Sequence, residues 1–204
     1  MFGVSQWGRS VGMINHSLLC LIPKVKRVER LMELRPISLC NVIFKCISKA
    51  FANRFRKVLD SIIADTQSAF IPGKCIMDNA MIGFECTNAL RKKVYGKKKG
   101  FMSLRLDMSK VYDRVEWSFS EGMMKRMGCS ERWISLIMDC VSSVRYFFTL
   151  NGKFKGDVKP TRGLRQGDPI SPYLFLICAE GFLSLISLAE RSDDFSGFRC
   201  SIYG

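Results

Sequence analysis

The stretch TRGLRQGDPISPYLF, residues 161–175, sets a glycine-punctuated loop directly against the start of an apolar helix. Two glycines bracket Leu164, Arg165 and Gln166, and Asp168-Pro169 and Ser171-Pro172 follow. Such a loop exposes main chain. At Gln166-Gly167 a base or sugar can approach the backbone closely, because glycine has no Cβ, while Arg162 and Arg165 offer phosphate contacts. Ser171-Pro172 suits a helix start, since proline lacks only an N–H that the first turn leaves unpaired anyway. The same spacing describes any well-capped loop, so its meaning rests on what surrounds it.

Working outward, the chain after the loop is its most apolar segment, YLFLICAEGFLSLISLAE (173–190), broken by Glu180 and Gly181. It falls short of the roughly 20 uninterrupted apolar residues of a membrane span, which makes a buried helix the expectation. Before the loop, RYFFTLNGKFKGDVKPTRG holds two strand-like runs joined at Asn151-Gly152, a strong hairpin signal. Helical patterns precede it near 117–127 and 131–142. FMSLRLD (101–107) alternates as a strand, with Met102, Leu104 and Leu106 on one face and Ser103, Arg105 and Asp107 on the other. The basic run RKKVYGKKKG (91–100) reads as a surface loop after a helix over about 78–93, itself preceded by a turn-rich connection at 67–79.

Nearer the N-terminus, SLLCLI (17–22) reads as a strand that runs through Pro23 into the basic loop KVKR. RPIS (35–38) is extended ahead of Pro36, and Ser38 is the expected N-cap of a long helix over about 39–63. That helix repeats apolar residues from Leu39 to Ile62 with a 3.6-residue period, and Lys45, Lys49 and Arg56 share another face. The sum is an α+β fold, a small antiparallel sheet backed by helices.

The composition narrows the partners. The chain has 204 residues and a formal net charge of +14. Residues 1–100 hold 18 Lys/Arg against 6 Asp/Glu, while 101–204 hold 14 against 12, so attraction for a polyanion, nucleic acid before membrane, resides mainly in the first half. Nine scattered cysteines form no C-x-x-C pair and the only histidine is His16, which leaves a zinc site without support and suggests reduced core thiols. MFGVSQWGRS lacks the apolar core of a secretion signal, so an intracellular protein of cytoplasm or nucleus is expected.

Two carboxylates stand out in SLRLDMSKVYDRVEW (103–117). Asp107, at the end of a strand and off its apolar face, is well placed to ligate a divalent cation with the backbone carbonyl of Met108; capping the turn after the strand is the plainer alternative. Asp113 more naturally starts or caps the following helix.

Four blocks carry a resemblance. LIPKVKRVERLMELRPISL, QSAFIPGK, LRLDMSKVYDRVEW and RGLRQGDPISPYLFLICAE, in this order and over most of residues 13–200, resemble the reverse transcriptase domain of plant non-LTR (LINE-type) retrotransposons. The resemblance implies a right-hand polymerase fragment without a thumb. Residues of about 17–100 are fingers-like and lead into a palm-like part over about 101–204. It implies RNA-directed DNA synthesis: deoxynucleotides added to a primer 3′-hydroxyl on an RNA template by two Mg2+ (or Mn2+) ions. On the matching positions Asp107 is the catalytic metal ligand, with Met108 offering its carbonyl. Tyr112, with Val111 beside it, is the aromatic gate that excludes a ribose 2′-hydroxyl. Gln166 and Gly167 shape the nucleotide pocket, and Lys24 and Arg35 meet the triphosphate. Arg162 and Arg165 in the loop, and Lys45 and Lys49 on the helix, are the expected nucleic-acid contacts.

Two departures from the family pattern matter. Val111 replaces the usual alanine before the gate, and the chain reaches SIYG without the aromatic-Ala-Asp-Asp block that completes the metal site. Asp193-Asp194 in RSDDFSG lacks the aromatic-Ala lead-in. One carboxylate and a carbonyl are too few to fix two Mg2+ ions. The expectation is therefore a truncated domain, inactive in isolation, whose alternative role is that of a nucleic-acid-binding remnant.

Overall fold

The computed structural model describes residues 11–71, 73–94, 102–104, 106, 110–150 and 153–197. The first strand, β1 (His16–Pro23), pairs antiparallel with β2 (Leu34–Cys40), from Ser17 opposite Cys40 to Pro23 opposite Leu34. Between them the basic loop closes through Lys24 N–H donating to the Glu33 carbonyl at 2.8 Å. Helix α1 (Val42–Arg56) follows, capped by the Asn41 side chain, which accepts from the Ile43 N–H at 2.9 Å. After it come the short α2 (Leu59–Ile62), the long α3 (Ile76–Val94), α4 (Trp117–Arg126) and α5 (Glu131–Ser142). Strands β3 (Arg145–Leu150) and β4 (Lys153–Val158) form the expected hairpin, and α6 (Ser171–Arg191) begins with Ser171-Pro172 as anticipated.

The sheet order is β2-β1-β3-β4. It is mixed, not antiparallel as expected, because β1 and β3 run parallel, with His16–Leu19 opposite Arg145–Phe148. Local sequence pattern reads the β3–β4 hairpin but carries no information on how strands whose paired residues, such as His16 and Arg145, lie 129 apart in the chain meet each other. The contact also joins strands from the two halves of the chain into one sheet.

The helix expected over 39–63 is shorter and interrupted. Ser38 and Cys40 belong to β2, where they pair with Leu19 and Ser17, and the cap falls to Asn41. At the other end the Lys57 and Val58 N–H groups turn back to the Arg54 and Phe55 carbonyls, a tightened last turn that separates α1 from α2. Phe44, Ser48, Ala52 and Phe55 form the buried face of α1, a spacing of three to four residues. Lys45, Lys49 and Arg56 are exposed, as expected.

A second correction concerns 101–107. Residues 102–104 and 106 are not in a strand, and Met102, Leu104 and Leu106 are 84%, 70% and 56% exposed. An alternating run becomes a strand only where a neighbouring edge takes up its backbone groups.

The main core lies among α1, α4, α5 and the first half of α6, around Phe55, Met124, Ile134, Ile137, Leu174 and Ile177. The two interruptions of the apolar helix have structural causes. Glu180 accepts the Ala64 N–H at 3.1 Å, and a Cβ at Gly181 would lie 2.9 Å from Met123 Sδ and Phe119 Cζ, so the glycine permits the close approach of α6 to α4. Beyond it the helix emerges: Leu185 and Leu188 are 61% and 59% exposed, which limits the expected burial to its N-terminal half. By length and composition alone, α6 is long and apolar enough to cross a membrane. The cysteines divide as well, with Cys40 and Cys140 in the interior and Cys20, Cys46 and Cys75 at the surface, so the reading as core thiols holds only in part. Burial pushes the Cys140 thiol up to about 12.

Candidate functional site

The loop at 161–170 is folded onto its neighbours by its own backbone. Gly163 donates to the Val115 carbonyl at 2.8 Å and Leu164 to the Tyr112 carbonyl at 2.7 Å, while the Trp117 indole N–H donates to the Gly163 carbonyl at 2.8 Å. Gly163 has φ +94°, and a Cβ there would lie 3.0 Å from the Asp113 carbonyl oxygen. Three residues on, the Gln166 carbonyl accepts the Ser38 N–H at 3.0 Å, so the loop covers the outer edge of β2. Gly167, with φ +102°, sits where a Cβ would be 3.2 Å from the Ser38 carbonyl oxygen.

This staple brings distant parts of the chain to one open cleft of about 1170 Å³. Its walls include Lys24, Arg35 and Pro36 of the β1–β2 hairpin, Lys49 of α1, Lys110, Tyr112 and Asp113 of the turn before α4, and Gln166 and Gly167. Lys24, Arg35, Lys49 and Lys110 are all exposed there, against one exposed carboxylate, Asp113, among the described residues. The excess of positive charge in a concave wall focuses an attractive field on an anion. The Lys24 ammonium already donates to the Met32 carbonyl at 2.9 Å, which holds it at the hairpin mouth with two donors to spare.

Tyr112 lies in a 3₁₀ turn, Tyr112–Arg114, that follows Lys110 in the left-handed region at φ +53°. Its ring stacks on Phe175 of α6, with centroids 5.2 Å apart and planes 22° from parallel. Half-burial raises the phenol above its ordinary pKa, because desolvation disfavours the charged form. A second, smaller hollow of about 230 Å³ opens beside the cleft and shares Pro36, Asp113, Arg165 and Gln166 with it. Tyr146 lines this hollow, its phenol pushed up to about 12 by burial.

The residues expected from sequence are thus distributed unevenly. Lys24, Arg35, Lys49, Tyr112, Gln166 and Gly167 line the cleft together. Val111, half-buried, leads into the Tyr112 turn and is not among the lining residues. Asp113 is on the cleft wall and does not cap α4, whose N-cap position is Glu116. Arg162 is exposed and pairs with Glu116 at 3.0 Å, and Lys45 is exposed on α1. Asp107 and Met108 lie outside the described residues.

Arg165 is the clear correction. Only 5% exposed, its guanidinium faces the interior: Nη1 donates to Ser17 Oγ at 3.0 Å, and Nη2 donates to the Cys140 carbonyl at 3.2 Å and pairs with Asp168 at 3.1 Å. The guanidinium carbon lies 4.1 Å from the centre of the Phe44 ring. A fork already committed on these sides is not a phosphate contact. Asp168, Lys110 and Phe175 were not singled out by sequence reasoning; for Asp168, the i, i+3 spacing from Arg165 was an available sign.

A divalent-metal site finds no support among the described residues, where no group of three or more His, Cys, Asp or Glu side chains converges. Among the described residues the carboxylates on the cleft are Asp113 and Asp168, the latter bonded to Arg165 and to the Ser48 hydroxyl.

Against known proteins, the family described as reverse transcriptase (RNA-dependent DNA polymerase) matches residues 22–203. The chain is 28% identical over 170 residues, 83% of its length, to the Transposon TX1 uncharacterized 149 kDa protein of Xenopus laevis, of which it spans 13%. It is 24% identical over 177 residues, 84% of its length, to the Retrovirus-related Pol polyprotein from type-2 retrotransposable element R2DM of Drosophila melanogaster, of which it spans 16%. Over a shorter stretch of 54 residues, 26% of the chain, it is 48% identical to an uncharacterized mitochondrial protein of Arabidopsis thaliana, covering 44% of that protein.

Proposed function

Because the chain belongs to the reverse transcriptase (RNA-dependent DNA polymerase) family, we propose that its cleft receives a deoxynucleoside triphosphate for RNA-templated extension of a DNA primer. The observation that carries this reading is convergence: Lys24, Arg35, Lys49, Tyr112, Gln166 and Gly167, far apart in sequence, line one cleft.

Each group has a part that follows from its chemistry. Arg35 and the ammonium groups of Lys24, Lys49 and Lys110 attract the triphosphate, and the planar guanidinium of Arg35 can hold two of its oxygens at once. Tyr112, braced flat on Phe175, presents a rigid edge to the sugar and leaves no room for a 2′-hydroxyl. Gly167 lets the base or sugar meet main chain instead of a side chain. Exposed Lys45 and Arg162 suit the phosphates of template or primer. In this reading residues of about 17–100 are fingers-like and 101–204 palm-like, as parts of a longer retrotransposon polyprotein of non-LTR type.

Reverse transcriptases of this kind use divalent ions, Mg2+ or Mn2+, to align the primer hydroxyl with the triphosphate. We assign Asp107 as a ligand of such an ion, with the Met108 carbonyl beside it. The test is primer extension on an RNA template with deoxynucleotides and Mg2+, using the full parental polypeptide. Asp107→Asn is expected to leave no detectable product; extension at the parental rate overturns the assignment.

A second reading is favoured by the exposed cations of α1 and the charge of the first hundred residues: a nucleic-acid-binding remnant without chemistry. It requires RNA binding that weakens steeply with salt while extension is absent.

A further inference from the structure

We propose that the buried Arg165–Asp168 pair is a positioning device that fixes the Gln166–Gly167 wall of the cleft against the edge of β2. Its consequence for ligand affinity rests on the nucleotide reading above.

The two charged residues flank the two wall residues directly, and each is anchored to different elements. Arg165 reaches β1 through Ser17, α5 through the Cys140 carbonyl and α1 through the face of Phe44. Asp168 reaches α1 through the Ser48 hydroxyl and the start of α6 through the Ile170 N–H, at 3.3 Å for the latter. Ser48 in turn accepts the Ile170 N–H at 3.1 Å, closing a ring of bonds around the loop exit. Held at both ends, the intervening peptide has little freedom, and it meets Ser38 through one hydrogen bond of 3.0 Å and the close approach at Gly167.

Stability alone gives no reason for charges here. Burying an ion pair costs desolvation that apolar side chains of similar size would avoid, whereas a guanidinium can fix direction on several sides at once. Arg165 uses its fork in that way, serving a hydroxyl, a carbonyl and a carboxylate from one plane. Lysine at this position keeps the charge but offers its donors from a single point, so it cannot satisfy all three partners. The side chains of the pair act through the loop backbone and need not touch ligand.

The test uses the whole chain as wild type, Arg165→Lys and Ser48→Ala. Amide exchange is followed by NMR at Ser38 and at the other β1–β2 amides, alongside thermal melting and titration with dTTP. Arg165→Lys is expected to speed Ser38 exchange by about tenfold or more while the rest of the β1–β2 ladder is unchanged, since opening is local. The same variant should weaken dTTP binding by roughly fivefold or more and lower Tm, because a buried partner is left without its donor, with Ser48→Ala intermediate in exchange rate and affinity. If Arg165→Lys fails to fold, Ser48→Ala decides. Ser38 exchange at the wild-type rate in the folded variants overturns the proposal, whatever Tm does. Faster Ser38 exchange in a protein whose wild type binds no dTTP supports the positioning role and overturns the nucleotide reading instead.

Discussion

The loop at 161–170 and the segment at 102–106 both belong to sequence blocks with a marked chemical signature, and their surroundings differ sharply. The loop donates or accepts hydrogen bonds with β1, β2, α1, α4, α5 and the turn at Tyr112, and its Leu164 and Ile170 are buried. The apolar side chains of 102, 104 and 106 are exposed, and these residues belong to no strand. Apolar alternation is a demand for a partner, met only if an edge is available. The loop instead carries its own polar anchors, Arg165 and Asp168, and glycines that allow backbone to touch backbone. A site wall built in this second way needs no continuous secondary structure.

The contrast can be broken at its strong side first. Arg165→Ala removes one member of a buried ion pair and leaves Asp168 uncompensated, which should cost about 3–5 kcal/mol of stability in urea unfolding. A loss near zero would mean that water reaches the loop interior. Next, Gly167→Ala forces a side chain into φ +102° and against the Ser38 carbonyl oxygen. It should cost about 1–3 kcal/mol in the same assay, and a neutral effect would show that the loop can leave β2. On the weak side Leu104→Ser, at a residue 70% exposed, should change stability by no more than about 0.5 kcal/mol. A large loss there would erase the contrast.

What was readable in the sequence follows the same division. The β3–β4 hairpin, α3, α4, α5 and the start of α6 rest on local signals: Asn-Gly, a 3.6-residue period, a Ser-Pro start. Ser38 shows where local reading stops. A serine after an extended run caps a helix as readily as it ends a strand, and here the Ser38 N–H donates to the carbonyl of Gln166, 128 residues away in sequence, which goes with the strand. Arg165 misled for a related reason. In a chain of net charge +14 a loop arginine looks solvated, and only its i, i+3 relation to Asp168 hinted otherwise. The parallel pairing of β1 with β3 had no local sign at all. Of the site, the residue types came from the family resemblance, whereas the convergence of residues so far apart in sequence on one cleft is a property of the fold.

In the reading proposed here, the cleft holds a deoxynucleoside triphosphate with Tyr112 against its sugar. The most direct measurement is the affinity of the wild-type chain and of Tyr112→Ala for dTTP and for the matching ribonucleotide. The wild type is expected to prefer dTTP by about tenfold or more, the discrimination that one steric misfit can supply, and Tyr112→Ala to bind both alike. Equal affinity for the two sugars in the wild type, or a preference that survives Tyr112→Ala, would contradict it.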